Sequence, residues 1–349
     1  SGLYDRVRAA LTALEVVELS GIEPNPKIDS VRAGQDLVKT HDIDVVLAVG
    51  GGSVIDAAKV IASSKFYDAD PWDLVVESSK RYEIAQLPVV DILTLSATGT
   101  EMNVGSVISN PETNQKLGTG GPNSPAVSFL DPTLTFSVSP WQTAAGAIDI
   151  FSHLTEQYFD QTPNDVTSGM MAGLYRAVIK NALIALANPN DYDARAALMW
   201  ASTMALNGLV DVGNTNGWTV HPIEHELSAY YDITHGVGLG IMTPRWMQRS
   251  LSAETQPRFA QFGREVWGLT GDDATVAQGA IRATFDWIKS LNVPTTLPGV
   301  GITDDTHFDA MANSAVTVGH LDQAAYVTLQ PQDVVALFQA AMTDDGFVK

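Results

Sequence analysis

The chain has 349 residues, enough for about two domains of roughly 150 residues each. Hydrophobic residues make up 45% and charged residues only 17%, a globular and not a disordered composition. Forty acidic against twenty basic residues leave a net charge of −20, which argues against nucleic acid or an anionic membrane as partner. There is no cysteine, so disulfides, thiol nucleophiles, iron–sulfur clusters and thiolate zinc sites are excluded. Any metal must take His, carboxylate or carbonyl ligands. No secretory signal opens the chain, and no apolar run approaches the ~18 residues of a membrane span. A cytoplasmic protein with no membrane partner is expected.

The first 138 residues alternate helical and extended patterns. Tyr4–Leu19 reads as a helix running into a short strand, and Ile28–Thr40 as an amphipathic helix. Val45–Val49 is a β-branched run of strand length, followed by Gly50-Gly51-Gly52-Ser53 and a helical stretch over Asp56–Ala62. Val89–Leu95 reads as a second buried strand. Val104–Ile108 and Lys116–Leu117 flank the turn signal Asn110-Pro111-Glu112-Thr113-Asn114 and predict a hairpin. Ala126–Leu130 is a further strand. This alternation predicts an open α/β sheet, mostly parallel.

After Ser139 the pattern changes. Ser139-Pro140-Trp141-Gln142 reads as a capping box with proline at the first helical position. Thr167–Leu186, Ala194–Leu209, Asp273–Leu291 and Asp333–Met342 carry helical spacing, and strand signals almost vanish. Two domains are expected: 1–138, α/β, and 139–349, all-helical.

Leu47–Lys59 is a strand, a glycine loop and a helix start. Glycines admit close approach of a bulky anion, and free N–H groups at a helix start suit a pyrophosphate. The loop is neither G-x-G-x-x-G nor a Walker A loop, and a tight strand-to-helix turn needs glycine anyway. Ser96-Ala97-Thr98-Gly99-Thr100-Glu101 follows the next strand. Hydroxyls there can serve a nucleotide at the carboxyl edge of the sheet, or simply cap a turn.

The helix from Pro140 is apolar nearly all round and should be buried, yet it carries Asp149 and His153 at i,i+4. A buried charge without a partner costs roughly several kcal/mol. Of seven histidines in the chain, three (His221, His225, His235) fall within fifteen residues, and His41, His307 and His320 look incidental. Asp149 with three imidazoles makes a four-ligand N/O site suited to Fe(II) or Zn(II); an Asp–His hydrogen bond and surface histidines are the plainer alternative. His221-x-x-Glu224-His225 also matches the H-x-x-E-H pattern of inverzincin peptidases, with Glu224 activating water. Pro222 sits awkwardly in such a helix, and that reading leaves Asp149, His153, His235 and both nucleotide-like loops unused.

Taken together these residues resemble the iron-dependent (group III) alcohol dehydrogenases along essentially the whole chain. The resemblance rests on Gly21-Ile-Glu-Pro-Asn-Pro26, Gly50–Lys59, Ala97-Thr-Gly-Thr-Glu101, Leu130-Asp-Pro132, Asp149-x-x-x-His153 and His221-x-x-x-His225-x9-His235-Gly236. Its details are most similar to the NADPH-dependent butanol dehydrogenase and broad-range aldehyde reductase branch. It implies a dehydroquinate synthase-like architecture: a Rossmann-like dinucleotide-binding domain, a helical metal-binding domain, and an active site in the cleft between them. By position, Asp149, His153, His221 and His235 match the metal ligands, and His225 a pocket or proton-relay residue. Gly51, Gly52 and Ser53 match the pyrophosphate loop. Thr94, Thr98, Asn103 and Lys116 match the rest of the cofactor site, and Asn25 lies near its adenosine end. Lys59 and Lys116 are expected to offset phosphate charge. Family members usually carry a further segment before Ser1-Gly2, with a first strand and glycine-rich loop; the chain is expected to lack it.

The expected activity is interconversion of aldehydes and primary alcohols by hydride transfer. The preferred cofactor is NADP(H), with NAD(H) as alternative, and a homodimer is the family-level expectation. Glycerol-dehydrogenase-like relatives, with one protein ligand fewer, are disfavoured by the full Asp/His/His/His set. An inactive scaffold is the alternative from another class.

Overall fold

The computed structural model describes residues 2–215 and 217–347. Residues 1, 216, 348 and 349 lie outside the described residues. Helix α1 spans Leu3–Ala10, and residues 15–20 form no strand. Val16 and Leu19 stay exposed, and no described strand lies beside them to complete a ladder. The strand predicted before Leu19 is therefore corrected to irregular chain.

Helix α2 (Ile28–Thr40) is followed by β1 (Val46–Gly50), α3 (Gly52–Ser64), α4 (Trp72–Val76) and β2 (Val89–Leu93). Then come β3 (Gly105–Asn110), β4 (Gln115–Gly120) and β5 (Val127–Phe129). Strands β1, β2 and β5 form a parallel sheet in that order, with Val46 opposite Val89 and Val90 opposite Val127. Parallel neighbours need crossovers, which α3 with α4, and then the hairpin, supply along the chain. The predicted turn forms an antiparallel hairpin, β3–β4, separate from that sheet.

Eleven of the thirteen residues of α3 are buried, so its polar members must find partners inside. Lys59 is wholly buried, and its Nζ donates to Thr100 O (2.6 Å), Thr100 Oγ1 (2.7 Å), Asn103 O (2.8 Å), Gly105 O (2.9 Å) and Asn103 Oδ1 (3.2 Å). Burial pushes its ammonium down to about 8 against the pull of Asp56. Lys59 thus pins the segment after β2 beneath α3 and has no donor left for a phosphate, which corrects the expected charge role.

From Pro140 onward every described helix or strand is a helix: α5 (Pro140–Tyr158), α6 (Asp165–Ala187), α7 (Tyr192–Leu206), α8 (Val220–Tyr231), α9 (His235–Ser250), α10 (Gln256–Trp267), α11 (Asp273–Ser290), α12 (Phe308–Gly319) and α13 (Pro331–Ala340), with a single 3-10 turn at Pro298–Val300. Ser139 Oγ accepts from Gln142 N–H at 3.2 Å, with Pro140 opening α5 as predicted. Helix α5 is buried without a break from Thr143 to Tyr158 and packs against α6, α7 and α9. The sequence predicts no membrane span; α6 is nonetheless long and apolar enough for one by length and composition, and it packs with α5, α7 and α10. An added Cβ would lie 2.3 Å from Ser96 O at Gly146 and 2.0 Å from Ala145 O at Gly236. These two glycines let α5 close against the loop after β2 on one side and the start of α9 on the other.

Glu226 on α8 is buried; its Oε1 accepts from Ser314 Oγ on α12 at 2.7 Å, and its Oε2 meets no donor. Burial raises its carboxyl to about 7, with the Ser314 bond opposing. A raised acid favours the folded state when protonated, so its contribution is full below about 4.5 and is lost as pH rises through about 7. Glu226→Gln should therefore melt a few degrees above the parent at pH ~8 and lose that advantage near pH ~5. Paired thermal melts at the two pH values check this.

Candidate metal centre and nucleotide cleft

Helix α5 presents Asp149, His153 and Glu156 at i, i+4 and i+7, which puts all three on one face. Helix α8 brings His221, Glu224 and His225, and His235 is the first residue of α9. Asp149 Oδ1 lies 3.4 Å from His153 Nε2, 3.8 Å from His221 Nε2 and 3.6 Å from His235 Nε2. Metal–ligand bonds of about 2.1 Å in a tetrahedron place neighbouring ligand atoms about 3.4 Å apart. The three separations are close to that spacing. Among the described residues, Asp149 Oδ1 and His221 Nε2 are both buried with no hydrogen-bond partner. Orphaned acceptors that converge on one point fit a divalent cation.

The electrostatics agree. Burial alone would raise the Asp149 carboxyl, but the three imidazoles outweigh it and hold the group below the usual carboxylate range. Burial drives His153 down to about 3 against the pull of Asp149, and lowers His235 against the pull of Glu224. His221 differs: burial would lower it, yet the Asp149 and Glu156 carboxylates beside it raise it to about 9.

Each ring is fixed from behind or beside. Glu156 Oε1 lies 3.1 Å from His221 Nδ1, and Glu224 Oε2 contacts His235 Nδ1. His153 stacks on His221, with ring centroids 5.0 Å apart, and Trp218 packs on both at 5.6 and 4.5 Å. Sequence reasoning passed over Glu156 and Trp218. The i, i+4, i+7 spacing on α5 is a signal that finds Glu156; Trp218 has no such signal beyond lying three residues before His221.

His225 stands beside the cluster, not in it. Its ring centroid is 6.2 Å from that of His221 and 5.5 Å from that of His235. It groups instead with Glu224 and His235. Burial holds its imidazole well below the ordinary value, and the nearby Lys116 ammonium lowers it further. Glu224 has no exposed side-chain surface; it accepts from Ser228 Oγ at 2.5 Å and meets Lys116 Nζ at 3.3 Å. With those partners and His235 it has no oxygen free to activate water, which removes the basis of the H-x-x-E-H peptidase reading.

The expected cofactor residues divide. Gly51, Gly52, Ser53, Thr94 and Thr98 lie at the carboxyl ends of β1 and β2. Thr94 N–H donates to Gly50 O at 2.9 Å, and an added Cβ at Gly52 would lie 2.4 Å from Thr98 Oγ1. That contact means the glycine is also needed for packing. Asn103 is committed to the loop: its amide donates to Gly99 O (3.0 Å) and Leu206 O (3.3 Å), and its oxygen accepts from Gly105 N–H (2.9 Å). Asn25 donates to Asp232 Oδ1 (3.0 Å) and Ile233 O (3.2 Å), in the turn just before His235. Lys116 Nζ lies 3.1 Å from His235 Nδ1, at the imidazole cluster. The loop after β2 joins the two regions, since Thr98 abuts Gly52 while Ser96 abuts Gly146, three residues before Asp149.

With this geometry in place, comparison with known proteins is direct. The profile of the iron-containing alcohol dehydrogenases matches residues 1–132, and that of the Fe-containing alcohol dehydrogenase family, C-terminal, matches 143–342. NADH-dependent butanol dehydrogenase A of Clostridium acetobutylicum is 45% identical over 97% of this chain and 88% of that protein. NADPH-dependent aldehyde reductase YqhD of Escherichia coli is 36% identical over 86% of this chain and 79% of that protein. The crystal structure of NADH-dependent butanol dehydrogenase A from Thermotoga maritima superposes with a TM-score of 0.92 at 35% identity, covering 98% of this chain and 88% of that one. The protein is therefore an oxidoreductase of the alcohol dehydrogenase class. The chain belongs to the iron-containing alcohol dehydrogenase family.

Proposed function

We propose that this enzyme interconverts small aldehydes and primary alcohols with a nicotinamide hydride carrier, NADP(H) or NAD(H), and one divalent cation, Fe2+ or Zn2+, held by Asp149, His153, His221 and His235. The observation that carries the reading is Asp149 Oδ1, buried, without a donor, and within 3.8 Å of three imidazole nitrogens. When bound, the cation supplies Lewis acidity at the substrate oxygen and the nicotinamide supplies hydride.

The chain's own residues do the rest. Asp149 contributes the negative charge that a dication needs, and the imidazoles contribute neutral nitrogen lone pairs. The start of α3 at Gly52 offers free N–H groups and a positive dipole end to a pyrophosphate. Gly51, Gly52, Ser53, Thr94 and Thr98 form that cradle, while Asn103 holds the adjoining loop in shape. Asn25 and Lys116 brace the cleft from the strand-bearing side, against the α8–α9 turn and His235. His225, kept neutral by burial and Lys116, is placed to relay the proton that an alkoxide takes up. Trp218 covers two of the rings and limits water at the reacting carbonyl. A homodimer, as the family resemblance implies, working in the cytoplasm without a nucleic-acid or membrane partner, as the composition leads one to expect, completes the reading.

The test is oxidation of NADPH and NADH, in parallel, by the metal-loaded enzyme with butanal. Turnover with either supports the reading, and the ratio of rates assigns the carrier; turnover with neither leaves the inactive scaffold. Asp149→Ala and His235→Ala should lose bound metal and turnover together. His225→Ala should keep the metal and turn over about 100-fold slower, the size of a lost general acid–base group. Metal analysis beside each rate separates the two classes of variant.

A further inference from the structure

Two carboxylates outside the ligand cluster bond the far side of two of its rings. Glu156 is buried on α5; its Oε2 accepts from Thr219 N–H at 2.8 Å, and its Oε1 accepts from His221 N–H at 2.7 Å and lies 3.1 Å from His221 Nδ1. Glu224 on α8 contacts His235 Nδ1 and is itself held by Ser228 and Lys116. In both rings Nδ1 faces a carboxylate while Nε2 faces Asp149 Oδ1. A carboxylate at Nδ1 keeps the ring proton on that nitrogen, which leaves the Nε2 lone pair aimed at the cluster. His153 has no such partner: its Nδ1 is buried and unbonded, and its ring is held by His221 and Trp218.

We propose that Glu156 and Glu224 are positioning residues that set the cation affinity of the cluster by fixing the ring and tautomer of His221 and His235. The proposal rests on the reading of Asp149, His153, His221 and His235 as cation ligands. Neither glutamate needs to touch the cation. Lys116 and Ser228 take part by anchoring Glu224, and the backbone of α8's first turn by anchoring Glu156. The two carboxylates bond different rings from different helices and share no bonding partner, so each can be changed without removing the other's bonds.

The test is titration of metal-free protein with Co(II), read by its visible ligand-field absorption and by competition with a chelator. Glu224→Gln and Glu156→Gln should each weaken Co(II) binding by about 10- to 100-fold and alter the absorption of the bound form. Glu226→Gln, on the same helix as Glu224 but bonded to Ser314, should bind as the parent does. Far-UV circular dichroism and melting of the metal-free proteins report whether each variant folds. If Glu156→Gln does not fold, Glu224→Gln alone decides. Folded variants that bind Co(II) as tightly as the parent, with the same spectrum, overturn the proposal. A parent that takes up no Co(II) overturns the ligand reading itself, and this proposal with it.

Discussion

A buried carboxylate oxygen faced by three imidazole nitrogens, with no donor to satisfy it, is the constraint on which the rest of the molecule depends. Taking Asp149 out of water costs roughly several kcal/mol unless positive charge is supplied beside it. The site can supply it as a proton, and His221 is the ring whose environment favours one. On the proposed ligand set, a divalent cation would supply it with more charge and satisfy Asp149 and the three imidazoles together. The fold accepts this cost at the centre of α5, the helix buried along sixteen consecutive residues, where water cannot compete.

Much of the remaining architecture brings the carboxyl edge of the parallel sheet toward that point. The parallel sheet presents its glycine loop and threonine loop on the same side, and glycine close approaches let α5 press against the second loop and α9 against α5. Lys59, which a charge-based reading would aim at phosphate, instead secures that loop to α3 through five contacts with oxygen. The hairpin reaches across to α8 and carries Lys116 into the imidazole cluster. The strand-bearing part therefore supplies both the glycine and threonine loops and one charged side chain, Lys116, at the imidazole cluster.

What the sequence made legible follows from local chemistry. The β-branched run before Gly50, the proline-asparagine turn at 110–114 and the Ser139-Pro140 helix start depend on nearby residues, and each forms where predicted. Asp149 and His153 stood out because polar groups on an apolar helix demand a partner. The contacts of Lys116 and Asn25 were illegible for the opposite reason: each meets a partner more than a hundred residues away, and no local pattern encodes that meeting. The strand predicted before Leu19 failed because a strand needs a neighbour, and a hydrophobic alternation cannot show whether one is present.

The most direct measurement is a crystal structure of the metal-loaded protein with anomalous scattering recorded at the iron and zinc edges. One cation per chain is expected among Asp149 Oδ1 and the Nε2 atoms of His153, His221 and His235. A cation seated instead among Glu224, His225 and His235, or no anomalous peak near Asp149 in protein that carries metal, would contradict the ligand assignment.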